Sequence, residues 1–285
     1  MSINSHTDNK QATAQRVLAR LLEHTEVSPN YWRMKMRQYF VAQNAKPGQF
    51  AHLLPRRETL NAPLLRRAFS ILNAQDDWFE ILYRVNGAGT QNMTLFRPGD
   101  DIDVVAPLGN GFEYSTKHAL LVGGGVGVPP MAMLAKFRDA SAQSDNSTKV
   151  LIGARNVRDV ICLDDFAKLG FEIGFDLKVA TDDGSMGEQG LVTTLLEREL
   201  QTQRSETVVY ACGPWPMLRA VAEVCRQYEV PCQVSMEESM PCGVGVCNGC
   251  VVEMKNAPDE YSKYRRICVE GPVLWAHKVK WDVGN

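Results

Sequence analysis

Four cysteines near the C-terminal end, Cys242, Cys247, Cys250 and Cys268, are separated by four, two and seventeen residues. A tight Cys-x4-Cys-x2-Cys run with one distant partner is the ligand spacing of a plant-type [2Fe-2S] cluster, which moves one electron at a time. Gly243, Gly245 and Gly249 are interspersed with the first three cysteines. The chain there must curl with its amides turned toward sulfur, and glycine enters the required left-handed backbone region without steric penalty.

Four thiolates also suit a tetrahedral zinc ion, but structural zinc sites usually pair two Cys-x2-Cys knuckles, a pattern this spacing does not follow. Disulfides fit less well, because no secretion signal is legible and thiols in a reducing compartment stay free. Cys162, Cys212, Cys225 and Cys232 lack ligand spacing and read as small buried residues, with Cys212 open to a second reading.

Two further motifs could hold a nucleotide. Gly123, Gly124, Gly125 and Gly127 follow the apolar run Ala119 to Val122, ahead of Pro129-Pro130 and an apolar helical stretch. A glycine loop at a helix start offers amides to a pyrophosphate. Its register is not that of a standard dinucleotide fingerprint, and a tight strand-to-helix turn would use the same glycines. Cys212-Gly213-Pro214 stands after another strand-like run, at the edge of the sheet where α/β proteins bind ligands. It reads either as a thiol or amide set against a nicotinamide, or as a rigid turn with a buried cysteine. Earlier in the chain, Arg67-Ala68-Phe69-Ser70, Leu82-Tyr83-Arg84 and Gly89-Thr90 supply arginines, hydroxyls and an aromatic edge that could grip a diphosphate and back a flat ring. Taken alone, Arg67 and Arg84 are more often solvated strand charges, and Gly87 to Thr90 an ordinary turn.

The elements that carry these motifs change character along the chain. From Arg16 to Pro107 the runs are short and alternating, as in Tyr31 to Arg37, Phe79 to Val85 and Asp101 to Val105, with turns at Lys46-Pro47-Gly48 and Arg97-Pro98-Gly99-Asp100. This predicts a small antiparallel barrel. Arg16 to Leu22 fits a short helix by periodicity as well, but a barrel needs an opening strand there. From Ala119 to Ala211 strand and helix alternate, which predicts a parallel sheet covered by helices, with Ser141 to Thr148 as a surface loop. The segments are 16–115 for the barrel, 116–230 for the α/β domain and 231–285 for the cysteine module. The last is too poor in apolar residues to build its own core. Residues Met1 to Gln15 form a polar tail.

The 285 residues, 45% of them apolar, are enough for two domains and a small module. A net charge of -2 gives no reason to expect nucleic acid, and no apolar run reaches the length of a membrane span.

Barrel, nucleotide sheet and cysteine module in this order resemble the ferredoxin reductase-like superfamily, and more closely the electron-transfer subunits of NAD-linked dihydroorotate dehydrogenase. The most specific residues are Ser235 to Met240 with the Cys242 to Cys250 run, and Cys268-Val269-Glu270-Gly271-Pro272-Val273. Pro107 to Phe112 and Ala180 to Ser185 are similar as well. The resemblance implies FAD on Arg67, Ala68, Phe69, Ser70, Leu82, Tyr83, Arg84, Gly89 and Thr90, and cluster ligation by Cys242, Cys247, Cys250 and Cys268. Ala68 departs from the family's usual proline, which removes strand rigidity but no ligand atom.

The resemblance further implies a cytoplasmic protein that passes electrons between NAD(H), FAD and the [2Fe-2S] cluster, to or from an FMN-containing catalytic subunit in a heterotetramer. Pyrimidine chemistry would belong to that partner, so no residue of this chain is expected to be catalytic. The competing expectation is an NAD(P)H-linked flavin and iron–sulfur reductase subunit serving ferredoxin, sulfide or sulfite chemistry. Arg155 leaves NADH against NADPH open, since it fits a 2′-phosphate, an adenine face or solvent.

Overall fold

A computed structural model describes residues 14–55, 63–140, 146–260 and 262–282. Strands β1 (Gln15–Ser28), β2 (Tyr31–Arg37), β3 (Phe50–Leu53), β4 (Arg67–Gln75), β5 (Trp78–Arg84) and β6 (Asp101–Leu108) close into a barrel of order β1-β2-β5-β4-β3-β6. Arg16 to Leu22 lies within β1, pairing with β6 on one side and β2 on the other, so closure of the barrel overrides its helical periodicity. Gln15, assigned to the tail from sequence, already pairs with Ala106, and most of the remaining tail lies outside the described residues. Both Pro-Gly turns close as expected: Gln49 N donates to the Lys46 carbonyl at 3.1 Å and Asp100 N to the Arg97 carbonyl at 2.9 Å. In each, glycine takes the positive φ that the third turn position requires, 92° at Gly48 and 95° at Gly99. Two short helices, α1 (Tyr39–Asn44) and α2 (Ala88–Met93), interrupt the barrel segment.

Alternation along each barrel strand sorts its side chains between two cores. Ala51 and Leu53 of β3 join Ile71, Phe79, Ile81 and Val104 inside the barrel, whereas Phe50 faces out and packs with the second half of the chain.

That second half is a sheet of order β10-β9-β8-β7-β11-β12-β15. Its strands are β7 (His118–Gly124), β8 (Ser147–Ala154), β9 (Leu177–Thr181), β10 (Glu188–Gln189), β11 (Thr207–Cys212), β12 (Cys232–Ser235) and β15 (Val273–Trp275). All neighbours pair in parallel except β12 with β15. The polar stretch read as a loop to Thr148 ends sooner: Ser147 and Thr148 open β8 because they pair with His118 and Ala119, and residues 141–145 lie outside the description.

Helix α3 (Val128–Ala140) covers one sheet face, on which Ala119 and Leu121 pack with Val128, Met131 and Leu134; α4 (Leu163–Ala167) adds Phe166 there. Leu120 and Val122 point to the other face, under α5 (Val192–Thr202) and α6 (Trp215–Gln227).

The chain leaves the sheet at Ser235 and returns at Val273, its register partner on β15. Between them lie the cysteines, the small ribbon β13 (Val251–Glu253) with β14 (Tyr264–Arg266), and α7 (Ile267–Glu270). Val252, Ile267, Val279 and Trp281 from this part are buried in the same core as α5 and α6, so the module stands on the nucleotide sheet. Each such side chain contributes about 1.5–3 kcal/mol when buried.

Candidate cofactor site

A cavity of about 690 Å³ opens between barrel, sheet and cysteine module. Its barrel wall is Phe50, Ala68, Phe69, Ser70, Leu82, Tyr83, Arg84, Asn86 and Thr90. The sheet contributes Val126, Pro214 and Trp215, and the stretch Ser235 to Met240 with Pro272 closes the third side. This volume lies in the usual range of small-molecule and cofactor sites. Two segments read separately in the sequence, Ala68 to Ser70 and Leu82 to Arg84, meet here because β4 and β5 are neighbours in the barrel.

The wall is preorganised. Tyr83 is buried, tilts against Phe69 at 5.6 Å between ring centroids, and its hydroxyl lies 3.0 Å from His24 Nε2. Burial pushes the Tyr83 phenol up, so it stays neutral. The Arg84 guanidinium stands 5.5 Å over the Tyr31 ring, and Tyr31 donates its hydroxyl proton to Asp159 Oδ1 at 2.8 Å, which holds the arginine on the cavity rim.

Arg67 and Gly89 are not among the residues that line the cavity, but they pack against each other beside it at β4 and α2. A Cβ at position 89 would come within 3.0 Å of Arg67 Nε, so Gly89 makes the room that lets the guanidinium lie against α2, while Arg67 Nη1 donates to the Leu65 and Arg66 carbonyls. Thr90 Oγ1 accepts from Asn86 N at 2.9 Å and Gly87 N at 3.2 Å, fixing the start of α2 at the rim.

On the sheet side, Gly123 and Gly124 end β7, and Gly125 to Gly127 form one turn of 3₁₀ helix leading into α3. Gly127 is pressed against the other motif: a Cβ there would overlap the Cys212 carbonyl and lie 2.5 Å from Gly213 N. The two nucleotide candidates are therefore one surface at the ends of neighbouring strands β7 and β11, where helix starts and open sheet edge coincide. Cys212 is fully buried and burial pushes its thiol up, whereas Pro214 caps α6 and reaches the cavity. Arg155, largely exposed, is held by Asp159 through Nε at 3.2 Å.

The four sequence-spaced cysteines come together in two levels. Cys250 and Cys268 are buried, Cys242 is half-buried and Cys247 is exposed. Amides aim at sulfur: Cys247 N at Cys242 Sγ (3.5 Å), Gly249 N at Cys247 Sγ (3.4 Å) and Cys268 N at Cys250 Sγ (3.5 Å). Gly243 and Gly245 take φ of 69° and 80°, which lets the loop curl, and Arg266 Nη1 donates to the Gly245 carbonyl at 3.1 Å. Partial burial opposes ionisation of Cys242, yet the amides of Cys247, Val244 and Val246 bring its thiol down to about 6, so a thiolate is available at neutral pH. Burial and the shared hydrogen bond with Cys250 push Cys268 up to about 12, so the Cys268 thiol ionises only with a cation to compensate it. Among the described residues, no three His, Cys, Asp or Glu side chains converge on a single-ion site. A two-iron cluster draws its ligands in pairs, and the soft, amide-supported donor set fits it.

Phe50, Asn86, Val126 and Trp215 line the cavity but were not singled out in the sequence, whereas Pro272 belongs to the Cys268 to Val273 run. Phe50 had a signal, its place directly after the Pro47-Gly48 turn on a strand too short to be read from alternation.

Residues 237–280 match the iron-sulfur cluster binding domain of dihydroorotate dehydrogenase B, and residues 121–223 match the oxidoreductase NAD-binding domain. The chain is 35% identical over 262 residues to the dihydroorotate dehydrogenase B (NAD(+)) electron transfer subunit of Caldanaerobacter subterraneus subsp. tengcongensis, covering 92% of this chain and 97% of that one. It is 40% identical over 249 residues to the corresponding subunit of Bacillus caldolyticus, covering 84% and 88%. Among solved structures, an NADH-dependent reduced ferredoxin-NADP oxidoreductase superposes with a TM-score of 0.79 and 28% identity over 93% of this chain and 91% of that one. Phthalate dioxygenase reductase, at 15% identity and a TM-score of 0.62 over 89% and 94% of the two chains, shares the fold.

Proposed function

The chain belongs to the family of dihydroorotate dehydrogenase B (NAD(+)) electron transfer subunits, and from that premise we propose that it passes electrons between NAD(H), FAD, a [2Fe-2S] cluster and the FMN of a dihydroorotate dehydrogenase catalytic subunit. Flavin exchanges two electrons with nicotinamide as hydride and one at a time with an iron–sulfur centre, the conversion such a chain provides.

The residues divide the work by segment. In 16–115, Ser70, Tyr83, Arg84 and Thr90 hold FAD along the barrel wall, with Arg67 bracing α2 beneath it. In 116–230, the amides of Gly123 to Gly127 and the Gly213-Pro214 turn receive NAD beside Val126 and Trp215. In 231–285, Cys242, Cys247, Cys250 and Cys268 hold the cluster, and exposed Val244, Val246 and Cys247 face the partner. Asp159, a carboxylate 3.2 Å from Arg155, disfavours a 2′-phosphate there and supports NAD over NADP. The assembly is a heterotetramer of two such pairs in the cytoplasm; no helix among the described residues is long and apolar enough to cross a membrane.

The observation that carries this reading is a cavity bounded by all three segments, with Ser70, Tyr83 and Arg84 on one side, Pro214 on another and Ser235 to Met240, which runs toward Cys242, on the third. Its test is reconstitution. Alone, the chain should reduce artificial acceptors with NADH and show no orotate-dependent turnover. With the FMN-containing catalytic subunit it should support NAD-linked dihydroorotate oxidation. A complex without coupled turnover, or efficient ferredoxin reduction without a complex, would favour a reductase serving another acceptor, the reading closest to its structural neighbour.

A second measurement separates the arginines. Arg67→Ala should weaken FAD retention about tenfold, the worth of its charged hydrogen bonds to the Leu65 and Arg66 carbonyls and of its packing against Gly89 of α2, while Arg155→Ala should leave it within about twofold. Equal retention of FAD by both variants in a filtration assay would return Arg67 to a solvated strand charge.

A further inference from the structure

His52 on β3 is fully buried, and its Nδ1 has no hydrogen-bond partner. Its Nε2 lies 2.9 Å from the Met240 carbonyl oxygen. A carbonyl only accepts, so Nε2 carries the proton and a neutral ring leaves Nδ1 as a bare acceptor. Burial pushes His52 down to about 4, with Arg66 and Arg67 adding to the effect against the Met240 contact, so the neutral ring is the form present at pH 7.

What Nδ1 faces is the cysteine loop. A Cβ at Gly243 would lie 2.5 Å from it, and Gly243 follows Cys242 directly. Two residues against His52 line the cavity: Met240, which Nε2 reaches, and Ala68, its register partner on β4. Strand alternation explains the placement. Ala51 and Leu53 enter the barrel core, so His52 must point outward, onto the face that Phe50 also uses. A leucine or valine would fill that space with less desolvation cost than a buried imidazole, which argues for a role beyond packing.

We propose that His52 is a positioning residue for electron transfer, whose imidazole ties the Met240–Gly243 segment to the barrel wall and so fixes Cys242 relative to the cofactor cavity. The hydrogen bond to Met240 sets the height of the segment, and the ring seated on Gly243 sets how closely it approaches. Any side chain at position 243 would collide with the ring, and its φ of 69° independently favours glycine. The inference rests on the reading of Cys242 as a cluster ligand.

The test compares His52→Gln with His52→Asn in the FAD- and cluster-loaded chain. Both are neutral amides, but only glutamine extends an N–H to about the place of Nε2. The readouts are the EPR spectrum of the reduced cluster, its midpoint potential, and the rates at which NADH reduces first flavin and then cluster in rapid mixing. His52→Gln should match the parent. His52→Asn should keep flavin reduction by NADH while shifting or broadening the EPR signal and slowing electron arrival at the cluster about tenfold, the low end for loss of a support behind a metal ligand. If the asparagine variant does not retain FAD, His52→Leu, which fills the space without a donor, is read by the same criteria. Parent-like EPR spectra and rates in every variant would overturn the proposal, as would equal impairment of His52→Gln and His52→Asn. A parent chain that binds no [2Fe-2S] cluster would instead overturn the reading on which it rests.

Discussion

Cys247→Ser should eliminate dihydroorotate oxidation by the reconstituted complex while leaving NADH-driven reduction of an artificial dye by the flavin within about twofold of the parent. Cys247 is the most exposed of the four module cysteines, and its sulfur accepts from Gly249 N. A serine oxygen is a harder and far less acidic donor, so one iron loses its partner and the cluster site fails. The proposed flavin and nicotinamide surfaces use β4, β5 and the ends of β7 and β11, and Cys247 is not among the residues that line the cavity. The coupled rate should fall about a hundredfold or more, the upper range for damage to a metal site. Iron content, the EPR signal and stopped-flow flavin reduction measured on one preparation check this. If flavin reduction by NADH vanished together with the cluster signal in a folded protein, electrons would not follow the proposed order.

Gly127→Ala is expected to have the largest effect on the nucleotide half. Its Cβ would be driven into the Cys212 carbonyl and Gly213 N, which are backbone atoms with no rotamer to yield. Overpacking of this kind costs about 1–3 kcal/mol, and here it also separates the two motifs that form the NAD edge. Thermal melting should drop by several degrees, about 2–4 °C per kcal/mol for a chain of this size, and the NADH KM should rise about tenfold or more. Gly170→Asn is the control: nothing lies within 4 Å of its Cβ position, and its φ of 84° is one that asparagine tolerates. Similar NADH kinetics in the two variants would show that contact between the motifs is not what shapes the site.

The sequence made different parts of this architecture legible for different physical reasons. The curl of the cysteine loop was readable because its geometry is local: one short run carries three of the four cysteines, and Gly243 and Gly245 adopt the left-handed φ that the curl needs. The Pro-Gly turns were readable in the same way. The cavity was not, because it exists only after β3, β4 and β5 roll into a barrel and the barrel docks on the sheet. Phe50, Trp215 and Pro272 reach it from three distant segments; Phe50 and Trp215 do not differ in type or spacing from ordinary core residues, and the run that holds Pro272 gives no sign of the cavity it closes. Gly127 looked like part of a phosphate loop; its tight approach to Cys212 depends on the pairing of β7 with β11, which periodicity does not encode. His52 was invisible for a related reason, since an isolated histidine on a four-residue strand announces nothing until the cysteine loop is laid across it.

Both ends of the cysteine module are strands of one sheet: residues 236–272 leave from Ser235 and come back opposite it at Val273. A redox domain hung on a flexible tether must search for its partner and spends part of each turnover away from the donor. This one is stapled at its two roots and has no tether to swing on, so the spacing between the flavin cavity and the cluster is a constant of the fold. The gap that an electron has to cross is set when the chain folds, and not renewed by diffusion in each cycle.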